Sequence, residues 1–157
     1  MIARPRTDPV DPFTNRRFRV EIEGLRNTGA LEVVFPEARI VRSARRAPQT
    51  RCGNLILKRG LTASADWYGW WDRARRSKAA PKAIVRVVMI AGEGEDAIRW
   101  TFRDVRPVAY HVSPLNALGS EVLLETLEAT VGGFEADYLA VNGDEPGLKR
   151  HTGVRRD

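Results

Sequence analysis

The residues able to do chemistry in this chain are few and scattered. His111 and His151 are its two histidines, and neither has a second ligand at the spacing a metal site needs. The single cysteine, Cys52, sits beside Gly53 in an arginine-rich stretch, but a nucleophilic role needs a base and none stands near it in sequence. Glu121, Glu125 and Glu128 could share one surface as paired acids, although carboxylates so placed are more often solvated or ion-paired. Gly92-Glu93-Gly94 is too acidic and too poor in glycine to cradle a phosphate. No convergent set of nucleophile, base and charge stabiliser emerges. The expectation is therefore no catalytic, cofactor or metal residue, no cofactor, and a protein of framework and interface rather than an enzyme.

Charge points the same way. Lysine and arginine total 26 against 20 acidic residues, a net charge of +6. Residues 36–54 concentrate this excess: Arg39, Arg42, Arg45, Arg46 and Arg51 stand against Glu37 alone. A stretch this long without a hydrophobic period is either a solvated connector or an arm that meets a partner. Its five arginines are the candidate inter-subunit residues, placed to pair with carboxylates of another chain. A basic nucleic-acid-binding β-barrel is the alternative from a different class, although the aromatics do not interleave with the basic residues as a base-stacking platform requires. One cysteine excludes an internal disulfide. No segment has the roughly 20 apolar residues of a membrane helix, nor does the start resemble a signal peptide, so a soluble chain without membrane insertion is expected.

The element that must hold such surfaces in place is Leu55 to Trp71. Leu55 and Leu57 alternate with Ile56 and Lys58 in a buried strand that ends at Gly60. A helix over about 63–77 follows, with Thr62 or Ser64 as its cap. Trp67, Trp70, Trp71 and Ala74 recur at i, i+3, i+4 and i+7 and share one face. Leu57, Trp67, Trp70, Trp71 and Trp100 are the expected structural anchor. Other strands are read at Phe18–Gly24, Leu31–Phe35, Ile84–Ile90, Ile98–Arg103 and Glu121–Val131, the last stopped by Gly132-Gly133. Pro107 and Pro114 bracket an expected irregular passage. Residues 1–12, with three prolines, read as an extended arm, 13–140 as one domain, and 141–157 as a flexible tail. The fold class is mainly β: an antiparallel barrel or sandwich of about six or more strands with one short flanking helix.

The order of these segments resembles the tail-tube family shared by contractile phage tails and extracellular contractile injection systems. The resemblance runs from Asp11-Pro12-Phe13 into Phe18 to Leu25, through Leu55 to Thr62 and the Trp67–Trp71 cluster. It continues through Arg99 to Phe102, Val105-Arg106-Pro107, Leu115-Asn116-Ala117, Ser120-Glu121-Val122 and Glu125-Thr126-Leu127. It implies a small β-barrel with one flanking helix, six copies in a ring, and rings stacked into a tube around a β-lined channel. Type VI secretion tube proteins are similar in architecture. The implied partners are the chain itself, as a homohexamer, a contractile sheath, baseplate proteins, and cargo or DNA in the lumen. Synthesis in a bacterial cytoplasm and incorporation into a phage tail or injection particle are implied with them. The arginine-rich 36–54 stretch leaves open a tube-initiator or baseplate-adaptor paralogue.

Overall fold

The computed structural model describes residues 17–26, 29–79, 82–92 and 94–139, so the expected arm 1–12 and tail 141–157 lie outside the described residues. In chain order the elements are β1 (Phe18–Ile22), β2 (Glu32–Val34), β3 (Ala38–Ser43), β4 (Arg46–Cys52), β5 (Leu55–Gly60), α1 (Asp66–Arg76), β6 (Ala83–Ile90), β7 (Asp96–Val112), β8 (Leu124–Thr130) and β9 (Gly133–Tyr138). Seven strands form one antiparallel path, β1-β6-β7-β8-β5-β2, with β9 also on β7. The mainly β class with one helix is thus observed. The path does not close, since β1 and β2 at its two ends are not paired with each other, so the molecule is an open, folded-over sheet rather than a closed barrel.

Folding over is the work of β7. Its first half pairs with β6 on one side and β9 on the other, and its second half pairs with β8. Because β8 and β9 succeed one another along β7, the three strands make one long bent ribbon. The bend falls at Asp104, whose φ of 53° lies in the left-handed region, one that aspartate tolerates better than most side chains. Gly132 faces it: a Cβ there would stand 2.7 Å from the Asp104 Cβ. The Gly132-Gly133 pair therefore kinks a ribbon that continues as β9, and the expected stop was a hinge between two strands. Likewise the expected irregular passage after Pro107 is strand. A register shift between Pro107 and Ala109 accommodates the proline there, a bulge being one of the few places a strand accepts a residue without N–H.

The bend creates two half-sheets of four strands facing each other across one core. In the half formed by β1, β6, β7 and β9, the paired row Ile22, Val85, Phe102 and Phe134 points inward. In the half formed by β2, β5, β8 and β7, the row Val33, Leu57, Leu127 and Tyr110 does so. Helix α1 covers the end of the second half. Trp67 and Trp70 are buried and Trp71 is half-buried against the core, each indole removing on the order of 200 Å² from water when fully covered. Asp66 lies in the first turn and Arg73, Arg75 and Arg76 in the last, matching the helix dipole. Neither Thr62 nor Ser64 caps the helix; Ala65 is its N-cap, without a side-chain bond. Their hydroxyls instead accept bonds from the amides of Ser64 and Asp66, two residues on, and shape the approach.

Gly132→Ala is expected to lower stability by about 1–3 kcal/mol through overpacking against Asp104, read from urea unfolding. Adding Asp104→Gly should recover most of that loss, since glycine removes the opposing Cβ. An unchanged midpoint in Gly132→Ala would contradict a tight bend.

Candidate assembly interface

The anchor residues lie around a buried polar node. Leu57 is in the core, Trp67 and Trp70 lie under the helix, Trp71 packs against Tyr110, and Trp100 lines the other half-sheet. Between them, Arg59 at the end of β5 meets its register partner Glu125 on β8, Nε donating to Oε1. The other Glu125 oxygen accepts from the Tyr110 hydroxyl at 2.6 Å. Arg59 lies over the Trp67 ring at 4.3 Å, a cation–π contact that strengthens where water is excluded. Arg59 is 5% exposed and Glu125 1%. Burial and the bond to Glu125 push the Tyr110 phenol up to about 12.

This separates the three glutamates that spacing could place together. Glu125 is internal, Glu128 faces outward and accepts from Asn54 at 2.7 Å, and Glu121 lies in an exposed loop. His111 is on the outward face of β7, and half-buried Cys52 ends β4 opposite Ala38. Among the described residues no group of three or more metal-ligating side chains occurs. His151 lies outside them. The node was missed in sequence because Glu125 alternates with Leu127 and Ala129 on the buried face; that period was a usable signal for a carboxylate needing an internal cation.

The arginine-rich stretch, expected as a long loop, is an antiparallel hairpin. Arg39 lies opposite Arg51 and Ser43 opposite Arg46, which leaves Ala44 and Arg45 at the tip. Arg42 sits at a register shift between Val41 and Ser43. All five arginines are exposed, as are Ile40 and Val41. A two-stranded hairpin exposed on both faces has almost no core of its own. It escaped notice because, with neither face buried, its sequence shows no alternation. Arg39 pairs with Glu37 at 2.7 Å; Arg42, Arg45, Arg46 and Arg51 make no ion pair among the described residues.

The second surface is the backbone at two edges that are unpaired among the described residues. In β1, the amide of Ile90 donates to the Arg17 carbonyl and that of Glu23 to the Ile84 carbonyl. Antiparallel pairs alternate, so odd residues of β1 bond to β6, and Phe18, Val20 and Ile22 turn their N–H and C=O groups outward. In β9, Leu139 donates to the Ala97 carbonyl, which by the same alternation leaves Phe134, Ala136 and Tyr138 facing outward. The outer face between these edges is charged: Arg19, Arg99 and Asp137 in one row with Val88, and Glu21, Arg86 and Glu135 in the next with Thr101. Arg19 holds Asp96 through both guanidinium nitrogens at 2.5 and 2.7 Å and Glu21 at 2.9 Å, bonds that raise its pKa and hold the Asp96 carboxyl below the usual range. Val88 is buried on this face between Arg19 and Arg99, whose aliphatic stems are long enough to shield it.

The described surfaces are thus a bent sheet with two unpaired edges, a protruding basic hairpin and an ordered charged face. The family model for T4-like virus tail tube protein gp19 matches residues 14–135, and the chain belongs to that family; it is a structural tail-tube protein. Solved structures agree on the fold. A chain of the anti-feeding prophage baseplate, in a 6-fold symmetrised reconstruction, superposes with a TM-score of 0.61 at 19% identity, over 83% of this chain and 99% of that one. A chain of an extracellular contractile injection system, the PVC sheath-tube complex in its extended state, gives 0.59 at 12% identity, over 82% and 93%. Hcp1 from Flavobacterium johnsoniae gives 0.56 at 15% identity, over 76% and 93%. No curated protein matches the chain in sequence.

Arg59→Met, which strands Glu125 in the interior, is expected to cost about 3–5 kcal/mol in chemical unfolding. Tyr110 supplies an alkaline readout. Its folded pKa is raised above the unfolded value of about 10, so its contribution is complete below pH 10 and is lost as pH rises toward 12. Tyr110→Phe should flatten that part of the stability profile, and an unaltered profile would contradict the assignment.

Proposed function

We propose that this chain is the repeating inner-tube subunit of a contractile injection machine or phage tail, assembling into hexameric rings that stack around a channel. The observation that carries this reading is the pair of open edges. The half-sheet β1-β6-β7-β9 has four strands of alternating direction, so β9 of one copy meets β1 of the next in the antiparallel sense. Each edge offers the outward backbone groups of three alternate residues, Phe18, Val20 and Ile22 against Phe134, Ala136 and Tyr138. Ring closure satisfies these groups and removes edges that otherwise invite uncontrolled pairing. The contact joins different surfaces head to tail, the type that makes rings when its rotation closes.

Six copies of four strands spaced about 4.8 Å apart close into a wall roughly 37 Å in diameter before tilt. The number six follows the 6-fold symmetry of the baseplate that contains a similar chain. The face turned to the lumen is the charged one, because the other carries the core. Its interspersed Arg19, Arg86, Arg99, Glu21, Glu135 and Asp137 give no large field of one sign, which suits passage of DNA or protein cargo without capture.

The hairpin is the axial contact in this reading. Arg39, Arg42, Arg45, Arg46 and Arg51 reach carboxylates of the adjacent ring and set its register more than its raw affinity. A contractile sheath and baseplate proteins are the further partners, and the chain is made in the bacterial cytoplasm before incorporation. No helix of the described residues is long and apolar enough to cross a membrane. Enzymatic activity forms no part of the proposal. A tube-initiating role at the baseplate is the second reading, favoured by the similarity to a baseplate chain.

Charge reversal at Arg42, Arg45 and Arg46 together should leave a folded monomer and separate rings but shorten the tubes, seen by negative-stain microscopy. Tubes of normal length would exclude the hairpin as the stacking contact. Steeply salt-dependent DNA binding by a chain that forms no rings would favour the nucleic-acid alternative instead.

A further inference from the structure

We infer that the loop between β7 and β8 is an apolar peg that seats in a hollow beside Trp70 on a neighbouring copy; this rests on the ring assembly proposed above. The loop, residues 113–123, exposes three large apolar side chains: Leu118 at 98%, Leu115 at 82% and Val122 at 74%. It is built rather than slack. Asn116 Oδ1 accepts from the Leu118 amide and the Asn116 carbonyl from the Gly119 amide, both at 3.0 Å. At its base the Ser113 amide donates to the Leu124 carbonyl and the Leu124 amide to Ser113 Oγ, both at 2.9 Å. The Leu123 carbonyl also accepts from Leu61 at 2.8 Å. These bonds hold Leu118 out at the tip. Three large apolar side chains held in water on one short loop make a patch of the kind that marks an interaction site.

The same chain carries a matching recess. Beyond the end of β1, alongside α1, lies a hollow of about 270 Å³ with Leu25, Trp70, Ala74 and Ala83 among its walls. Glu23, Arg73 and Lys82 also line it. No residue of the loop contributes to it, so each copy presents a peg and an empty recess at different places. Charge identifies the occupant as a second copy. Glu121 is the only charged residue of the loop and makes no ion pair among the described residues. Arg73 likewise has none, because the nearby Asp72 is held by Arg75 at 2.6 Å and Arg76 at 3.0 Å. Lys82 is shared with Asp104 at 3.7 Å. In the proposed seat Leu118 lies against Trp70 and Glu121 pairs with Arg73, the two cations Arg73 and Lys82 outnumbering the one carboxylate, Glu23, of the recess. Because peg and recess are distinct patches of one chain, the contact is head to tail, the type that makes a ring when its rotation closes, and in the proposed ring it adds a side-chain lock to the backbone joint.

The test uses the full chain, with ring formation followed by sedimentation velocity and microscopy and folding by thermal unfolding. Leu118→Asp should need at least tenfold more protein to form rings while its melting point is unchanged, since the side chain is 98% exposed. Glu121→Arg should weaken assembly severalfold, and Glu121→Arg with Arg73→Glu should restore it. In a Cys52→Ser background, chains bearing Leu118→Cys mixed with chains bearing Ala74→Cys should cross-link on oxidation. Rings forming normally in Leu118→Asp overturn the inference, also if that variant then fails to recruit sheath, which would make the peg a sheath contact. Absence of the cross-link within rings overturns it too. If the unaltered chain forms no rings, the tube reading itself fails, a result distinct from the others.

Discussion

Strand β7 belongs to two half-sheets, and it can do so because Asp104 takes a left-handed conformation opposite a glycine that leaves it room. Everything larger follows from that bend. A straight ribbon of β7 against β8 and β9 would bury one flat face and leave no second layer to cover it. Bent, the ribbon brings Phe102 and Val105 from its first half and Tyr110 and Leu127 from its second around one core, which α1 then closes with two indoles. The bend also decides which edges remain open. It turns β8 aside to pair with β5, while among the described residues β9 is strand-paired with β7 alone and β1 with β6 alone. The backbone groups at those edges, unpaired among the described residues, are therefore a consequence of how the sheet bends.

The buried Arg59, Glu125 and Tyr110 reinforce this arrangement at the opposite end. An ion pair withdrawn from water contributes little net stability compared with apolar residues of the same volume, so its value here is positional. It ties β5, β8, β7 and, through Trp67, the helix into one geometry. For a subunit that must repeat many times without drift, a unique arrangement of its end matters more than an added increment of stability; such a specifying role is testable by whether variants of the node still assemble uniformly.

Much of this could be read directly from residues. Period-two alternation located β1, β5 and the first half of β7, a continuous run of β-branched residues located β6, and helical spacing of three tryptophans located α1, because burial leaves a pattern in each. The readings that needed correction share a cause. The basic hairpin buries neither face, so it leaves no period; β9 begins with a glycine that bends a ribbon, whereas a glycine pair usually ends one; Pro107 is absorbed by a bulge that depends on the partner strand. The open edges were invisible for a deeper reason. Which backbone groups point outward is fixed by pairing register, and register is a property of two strands together. The proposed joining of copies through these edges rests on the same register and on the even number of strands between them.

A three-dimensional reconstruction of particles formed by the purified chain tests this account most directly, because it shows which strands meet between copies. The account predicts a closed antiparallel wall with four strands from each copy, β9 of one hydrogen-bonded to β1 of the next through Phe134, Ala136 and Tyr138, and the Arg19–Arg99–Asp137 face lining the channel. Rings whose copies meet through β2 or the outer edge of β7, with β1 and β9 left open, would contradict it.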